Sequence, residues 1–496
     1  MSLKRNVIAN FAGSAWTGLM ALAFVPLYIQ LMGVESYGIV GVFSSLMAVM
    51  AVLDLGLSQA MSREMARLSI GGQNTLLIVE TASTLELAYW CIAAMVGLLI
   101  ILLAYPIASF WLNPEQLSRD NLEQAIQIMG VVIGLRWPVS LYMGGLNGMQ
   151  RQVQVNVLLA AVATLQGIGA LAALWFFAPT IQVFFLWQAV MALLQVAAFR
   201  AALWRSLPSI KGVIFNKNVF GRTWRFAAGM SGISLLATIL TQLDKIVLSK
   251  VLSLPDFGYY TFATTVAGVL FRLIGPVFTA YYPRLTELAA KGDYSLQVRT
   301  YHEGSQLMVA AIAPATLVMI LFSSELLSIW TRNPDLIANT ALLVGLLSVG
   351  NALNGLMHMP YALQLASGWT KLALYQNIFA VVLLGPAIYI ASMRWGALGA
   401  AFAWIILNLG YLLIGVHVMH RRLLEGEKKQ WYLSDVIKPL IAVIAVSSAV
   451  RLIVLDSLNE LAILTLLLAT FGSSTMVAVL YSSELRNKLA KIVAKK

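Results

Sequence analysis

The sequence predicts an all-α polytopic membrane protein with about 14 transmembrane helices. Its 496 residues are 60% hydrophobic and only 11% charged, and the mean hydropathy is +0.82. Apolar runs of about 20 residues, each long enough to cross a bilayer as a helix, recur along nearly the whole chain. These runs are uniformly apolar rather than alternating, which argues against membrane-spanning strands. A soluble domain of this size would need more charge to cover its surface, so we expect none.

The apolar runs divide into fourteen predicted spans joined by short polar segments. The chain starts MSLKRN and then turns apolar, as a signal peptide does, but no small-residue cleavage site follows. We therefore expect this segment to be retained as the first span. The predicted spans cover residues 7–31, 37–60, 77–104, 122–148, 153–178, 180–200, 223–250, 257–282, 301–325, 336–361, 370–392, 395–418, 437–455 and 460–482.

Lysine and arginine are distributed unevenly between the two sides of the predicted bundle. With the N-terminus in the cytoplasm, 25 of the 33 Lys and Arg residues fall on the inner side, five near the outer side and three inside spans. This bias predicts that both termini are cytoplasmic. The net charge of +12 is then explained by topology and by anionic inner-leaflet lipid, and we expect no nucleic-acid partner.

Short motifs recur at an almost constant spacing of 216 to 221 residues. The clearest pair is FWLNPE at 110–115 and IWTRNPD at 329–335, each after a long apolar run. The residues that align are Gly13 with Gly229, Gly38 with Gly258, Arg63 with Arg284, and Asn113 with Asn333. Six spans separate the copies, so both copies have the same orientation in the membrane. The pattern predicts two parallel six-helix repeats plus two extra C-terminal helices, a plan found in transporters.

The repeat defines the expected domains. The predicted domains are an N-lobe at 1–200, a basic cytoplasmic linker at 201–222, a C-lobe at 223–418, a basic cytoplasmic loop at 419–436, and the last two spans with a basic tail at 437–496.

Cations inside spans are costly, and each one is a candidate for the functional site. Arg136 lies in span 4, Lys245 in span 7 and Arg272 in span 8. Hydroxyl residues fall on the same helical faces as two of these cations, which predicts a wet, positively charged cavity. The hydroxyl residues proposed to bind substrate are Ser231, Ser234, Thr238 and Thr241 with Lys245, and Thr265 with Arg272. The alternative is that these small and hydroxyl residues pack helices closely.

Four acids inside spans are candidates for ion coupling, with pairing or helix capping as the alternative. They are Asp54 in span 2, Glu80 and Glu86 in span 3, and Asp244 in span 7. The single cysteine, Cys91, and the four histidines form no metal-binding pattern, so no metal or other cofactor is expected. No P-loop and no catalytic constellation stands out, which predicts a transporter rather than an enzyme.

Two stretches resemble a known family. YIQLMGVESYGIVGVFSSL followed by LDLGLSQAMSREMA (28–46 and 53–66), and QLDKIVLSKVLSLPDFGYYTFA (242–263), are similar to polysaccharide-biosynthesis transporters. These are the Wzx-type flippases of the multidrug/oligosaccharidyl-lipid/polysaccharide exporter (MOP) superfamily, which includes the lipid II flippase and the MATE multidrug extruders. The resemblance covers roughly residues 1–420.

The resemblance implies a fold, a cargo and a cellular location. It implies a MATE-like or lipid II flippase-like pair of lobes in the bacterial inner membrane. The cargo would be undecaprenyl-diphosphate-linked oligosaccharide for O-antigen, capsule or exopolysaccharide, moved to the periplasmic leaflet by alternating access. A polysaccharide polymerase would be a partner, and proton or sodium coupling is left open. The alternatives are a lipid II flippase and a MATE-type multidrug or cation antiporter.

Overall fold

The chain is described by a computed structural model covering residues 3–52, 54, 56–69, 75–208, 215–453 and 459–487. Side chains at some positions inside these ranges, among them 222–237, lie outside the description. All regular structure in the described ranges is helical. The chain divides into two compact units, residues 1–258 and 259–496.

The described part of the first unit contains nine α-helices and the start of a tenth. These are α1 Leu3–Ala23, α2 Val25–Val52, α3 Leu57–Ser69, α4 Thr75–Leu102, α5 Ala104–Pro106, α6 Arg119–Gly148, α7 Gln152–Phe176, α8 Ile181–Trp204, α9 Lys217–Val251 and α10 Leu254–Ala267. A π-helical turn, Ile107–Trp111, follows α5. Helix α9, which the repeat assigns to the C-lobe, is part of this unit. The predicted lobe boundaries stay a prediction.

The second unit holds the end of α10 and the remaining helices. These are α11 Leu270–Lys291, α12 Tyr294–Leu321, α13 Ser323–Thr331, α14 Pro334–Leu356, α15 His358–Ala366, α16 Lys371–Gly410, α17 Val416–Leu423, α18 Lys428–Gln430, α19 Lys438–Ile453 and α20 Glu460–Tyr481. Two π-helical turns, Tyr411–Gly415 and Trp431–Ile437, connect consecutive helices.

Eleven helical segments of the described chain are long and apolar enough to span a membrane. The longest, Lys371–Leu423, is divided by Gly396, whose positive φ of 55° turns the chain between two predicted spans. Helix α2 bends in the same way at Gly33, with φ 82°. The all-α, polytopic membrane architecture is therefore confirmed, and the count of fourteen stays a prediction.

The two Asn-Pro motifs have similar sequences but different local structures. The Asn113 amide donates to the carbonyl of Lys250 (2.8 Å), and its own carbonyl accepts from Leu254 N–H (2.8 Å), so the first motif holds the end of α9. Asn333 instead caps α14, accepting from Leu336 N–H at 3.0 Å. Pro334 suits this cap because the first helical position needs no N–H donor. One sequence motif thus serves two local structures.

The repeated glycines make a reciprocal contact between α2 and the start of α10. A Cβ on Gly38 would lie closer than 3.0 Å to the carbonyl oxygen of Leu254, and a Cβ on Gly258 equally close to that of Val34. Each glycine faces the carbonyl four residues before the other. Only glycine permits backbones to approach so closely, so these two positions fix where α2 and the start of α10 cross.

The hairpin formed by α19 and α20 is fastened to α12 and α13 at both ends. At one end Arg451 pairs with Glu325, and Arg332 Nη2 lies 2.6 Å from Glu460 Oε2. At the other end Arg299 Nε lies 3.0 Å from Glu484 Oε2. Between them, apolar side chains of the hairpin join the core of the second unit. The buried ones are Val443, Leu467 and Ala478.

Candidate functional site

Arg136 lies in the middle of α6, within a polar cluster of the first unit. Its Nη2 donates to the side-chain oxygen of Gln188 on α8 at 2.6 Å, and the same oxygen accepts from the amide of Gln166 on α7. The guanidinium also lies over the Phe43 ring of α2, 5.6 Å from its centroid. Four helices therefore hold this side chain, which had been singled out because it is charged within a span.

The guanidinium of Arg136 has more hydrogen-bond donors than described acceptors. Its Nε is fully buried without a partner. In the part of the chain that is described, no carboxylate forms an ion pair with Arg136. A guanidinium has five N–H donors, and only one has a described acceptor here. The cluster can therefore donate hydrogen bonds to an anionic or hydroxyl-bearing group.

The charge of Lys245 on α9 is balanced locally. Its Nζ lies 3.5 Å from Oδ1 of Asp244, one of the acids considered for ion coupling. Both side chains are about one fifth exposed, at 21%. The two candidates, one for substrate and one for ion coupling, are thus brought together as a pair.

The hydroxyl residues predicted to share a helical face with Lys245 or Arg272 donate to carbonyl groups of their own helices where they are described. Thr241 donates to the carbonyl of Thr238 at 3.0 Å, and Thr265 donates to that of Thr261 at 2.8 Å. Each of these hydroxyls thus donates within its own helix. The side chains of Ser231 and Ser234, which are predicted on the same face as Lys245, lie outside the described residues.

Arg272 belongs to the second unit and is exposed. It follows a break between α10 and α11 at Gly268 and Val269, where its backbone N–H donates to the Val269 carbonyl at 3.0 Å. The break interrupts the helical face that Thr265 and Arg272 are predicted to share on one continuous helix. The position of Arg272 as a substrate residue stays a prediction.

Glu86 is a structural acceptor between α4, α6 and α8. It accepts from the Tyr142 hydroxyl (2.6 Å), from Arg200 Nε (2.6 Å) and from the Trp204 indole (3.0 Å). Only 9% of the residue is exposed. Glu86 is therefore paired in the structure, which is the alternative to an ion-coupling role.

The other two acids are also hydrogen-bonded. Asp54, in the turn between α2 and α3, accepts from the hydroxyls of Ser58 (2.6 Å) and Tyr89. Glu80 accepts from the amide of Asn216 at 3.2 Å. No group of three or more potential metal ligands occurs among the described residues.

An apolar groove lies elsewhere in the second unit, between the two arms of α16. Its volume is about 420 Å³, and aromatic side chains such as Phe379, Trp395 and Phe402 line it. No charged residue contributes to its wall. The groove therefore does not suit a charged head group.

Two sets of polar residues escaped the sequence analysis. Gln166 and Gln188 look like isolated polar residues, and no periodicity links them to Arg136. The second set is His302 with Asp435. The spacing of His302 and Gln306, four residues apart at the start of a span, could have indicated a polar face there.

Solved structures of known transporters share this fold. The lipid II flippase MurJ in its inward closed conformation matches with a TM-score of 0.70 at 13% identity, covering 98% of this chain and 99% of that one. An inward-facing MATE-family multidrug resistance transporter of the MOP superfamily gives a TM-score of 0.65 at 13% identity, covering 87% and 96%. The chain therefore has the fold of these multi-pass membrane proteins.

The family follows from sequence. The polysaccharide biosynthesis protein profile matches residues 3–289, more than half of the chain, and the chain belongs to that family. A Shigella flexneri protein whose name assigns it to O-antigen transport is 21% identical over 407 residues, covering 82% of this chain and 95% of its own length. The family resemblance expected from the two quoted stretches is confirmed.

Proposed function

We propose that this protein is a flippase, not an enzyme, for undecaprenyl-diphosphate-linked oligosaccharide repeat units. It moves them from the cytoplasmic to the periplasmic leaflet of the bacterial inner membrane by alternating access. The family and the O-antigen transporter from Shigella flexneri support a polysaccharide cargo. The polymerase that uses the exported units is the expected partner.

The chemistry of this cargo calls for a positively charged polar site inside the membrane. Its sugar hydroxyls would lose their water partners in hydrocarbon, at a cost of about 4–8 kcal/mol for each unbonded group. Its diphosphate is an anion that a forked guanidinium binds well. The membrane potential, inside negative, favours outward movement of an anion by about 2.3 kcal/mol per charge per 100 mV.

The observation that carries the proposal is the buried cluster around Arg136. A membrane-embedded cation without a carboxylate partner in the described chain is costly unless it receives an anionic ligand. We assign Arg136 to the diphosphate or an acidic sugar, and we retain Arg272 as a second cation for the cargo. Thr238, Thr241 and Thr265 can accept from sugar hydroxyls.

A lipid II flippase is the second candidate. The match with MurJ extends over 98% of the chain and so includes the α19–α20 hairpin, whereas the MATE match covers 87%. A multidrug antiporter is less well supported, because Glu86 is paired with a cation and Arg136 is a cation without a carboxylate partner in the described part of the chain. Proton or sodium coupling through Asp54 or Glu80 is kept as part of the proposal to be tested.

The test uses a strain that lacks the gene, complemented with variants of it. Deletion should accumulate undecaprenyl-diphosphate-linked repeat units and remove the surface polymer from a gel. Arg136→Ala should reduce the exported polymer at least about tenfold, because removing one partner of a buried charged contact costs about 2 kcal/mol or more. Arg136→Lys should restore only part of it, since an ammonium cannot bind two oxygens in a fork.

Arg119→Ala is the matched control. Arg119 begins the same helix and is exposed, so its removal should leave export unchanged. Arg272→Ala tests the second cation in the same assay. Intact polymer together with sensitivity to cationic drugs in the deletion strain would favour the antiporter. Lysis with accumulated lipid II would instead assign the protein to cell-wall synthesis.

A further inference from the structure

A histidine of α12 is held between two carboxylates in the second unit. His302 Nδ1 lies 2.5 Å from Asp435 Oδ2, and His302 Nε2 lies 3.2 Å from Glu427 Oε2. His302 is 1% exposed and Asp435 is fully buried, while the Glu427 side chain is 30% exposed. This cluster is separate from the Arg136 site, which belongs to the first unit.

Both ring nitrogens of His302 face carboxylate oxygens, which are acceptors when the two acids are ionised. Ionised carboxylates only accept hydrogen bonds, so each nitrogen must carry a proton to bond them. A neutral ring has one N–H and would turn a lone pair toward one of the carboxylates. Asp435 is also fixed by Gln306, whose amide donates to Oδ1 at 2.7 Å. Proton loss therefore releases Glu427, the more exposed acid.

The same cluster anchors both ends of the C-terminal hairpin. Asp435 lies in the π-helical turn Trp431–Ile437 that leads directly into α19. Gln306 donates to Ser483 Oγ at 3.2 Å and accepts from the Glu484 N–H at 2.8 Å, just after α20. One turn of α12 thus holds the entry and the exit of the hairpin.

We propose that His302, Asp435 and Glu427 form a binding site for a single proton, and that the bound proton fastens the segment before α19 to α12. The ligand is the proton itself, and no metal or substrate is required. The positive-inside bias places this end of the bundle at the cytoplasm, so the site would respond to cytoplasmic pH. The proposal does not depend on what the protein transports.

Two cations on the elements around His302 have other described partners. The titratable or charged groups on these elements include Tyr294, Arg299, Tyr301 and Glu303 on α12, Tyr281 on α11, His417, His420, Arg421 and Arg422 on α17, Glu425, Lys428, Lys429 and Tyr432 on the connecting segment, and Glu484 after α20. Arg299 is bonded to Glu484, and Lys428 lies 2.8 Å from His417 Nδ1. Both cations are thus engaged away from the two acids.

The sign of the pH dependence follows from this arrangement. A protonated ring makes both carboxylate contacts, whereas a neutral ring loses the one with Glu427. A solvated imidazole titrates at pH ~6.5. The stabilisation is therefore complete at acidic pH and is lost as the pH rises above the range in which the folded site keeps its proton.

The experiment measures the apparent melting temperature of the purified full chain in detergent, from about pH 5.5 to about pH 8.5. The wild type should lose stability as the pH rises. Glu427→Gln should flatten that decline, because an amide can accept from a protonated ring or donate to a neutral one. Over this pH range, the loss in melting temperature should be smaller in the variant than in the wild type by at least about 2 °C.

Glu425→Gln is the matched control, since Glu425 is exposed on the same segment and carries the same charge. It should keep the decline seen in the wild type. His302→Gln should be less stable at low pH and insensitive to pH in this range. A Glu427→Gln protein with the wild-type decline, or a wild type without any decline, would overturn the proposal.

Discussion

At the scale of single residues, the charged groups inside the spans differ in how well their neighbours satisfy them. Glu86 has three described donors, and Lys245 has Asp244 beside it. Arg136 has a single acceptor and a buried N–H without a partner. A buried charge with full partners is best explained by structure, and one without them by a ligand.

Glu86 provides a test of that distinction. Glu86→Ala should leave the Tyr142 hydroxyl and the Trp204 indole without their acceptor, at about 1–3 kcal/mol for a buried group. Glu86→Gln keeps one side-chain oxygen and should melt several degrees above the alanine variant. We expect the glutamine variant to retain export in the complementation assay. A stable but inactive Glu86→Gln protein would instead return this acid to the ion-coupling candidates.

Sequence reasoning found the charged members of the candidate site but not their polar neighbours. Arg136 and Glu86 stand out because a charge within an apolar run is rare. Gln188 and Arg200 could not be connected to them, because the contacts join α8 to α6 and α4 across 52 and 114 residues. Helical periodicity relates residues within one helix and contains no information about which helices are neighbours.

At the scale of helices, the glycines that the repeat aligns determine how two elements cross. Gly38 and Gly258 are each as close to a carbonyl oxygen of the other segment as a glycine permits. A few other glycines in the spans have open space where a side chain would be, among them Gly275 and Gly472, whereas Gly144 and Gly148 are as close to carbonyl oxygens of α3. The repeat spacing identified this pair of glycines. The structural reason for glycine at these two positions is visible only where the two helices cross.

Gly258→Ala should destabilise the protein despite the better helix propensity of alanine. The new methyl group would press on the backbone of Val34, and overpacking of this kind costs about 1–3 kcal/mol. Gly472→Ala is the control, because nothing lies within 4 Å of its added Cβ and alanine should raise the melting temperature slightly. Equal stability of the two variants in a melting experiment would contradict the close crossing.

The sequence predicted where helices lie more accurately than where they bend or join. Uniform apolar runs locate spans because hydrocarbon demands them. The turns at Gly33 and Gly396 depend on positive φ angles that glycine allows but does not require. The attachment of the hairpin through Asp435 depends on partners more than 120 residues away, so no local pattern could reveal it.

At the scale of the whole molecule, orientation in the membrane is the main expectation to test. A C-terminal fluorescent protein fusion should be bright and a C-terminal alkaline phosphatase fusion inactive, because the 25 inner-side Lys and Arg residues keep that end in the cytoplasm. Phosphatase inserted between α19 and α20 should be active. Activity at the C-terminus would invert the topology and place the His302 cluster at the outer face.

The reciprocal glycine contact also has an internal symmetry. Residue 38 meets residue 254 and residue 258 meets residue 34, while 254 and 258 are the equivalents of 34 and 38, 220 residues later. A contact that is its own image under a two-fold rotation is one that two identical subunits can make. The crossing therefore has the form of an isologous interface within a single chain.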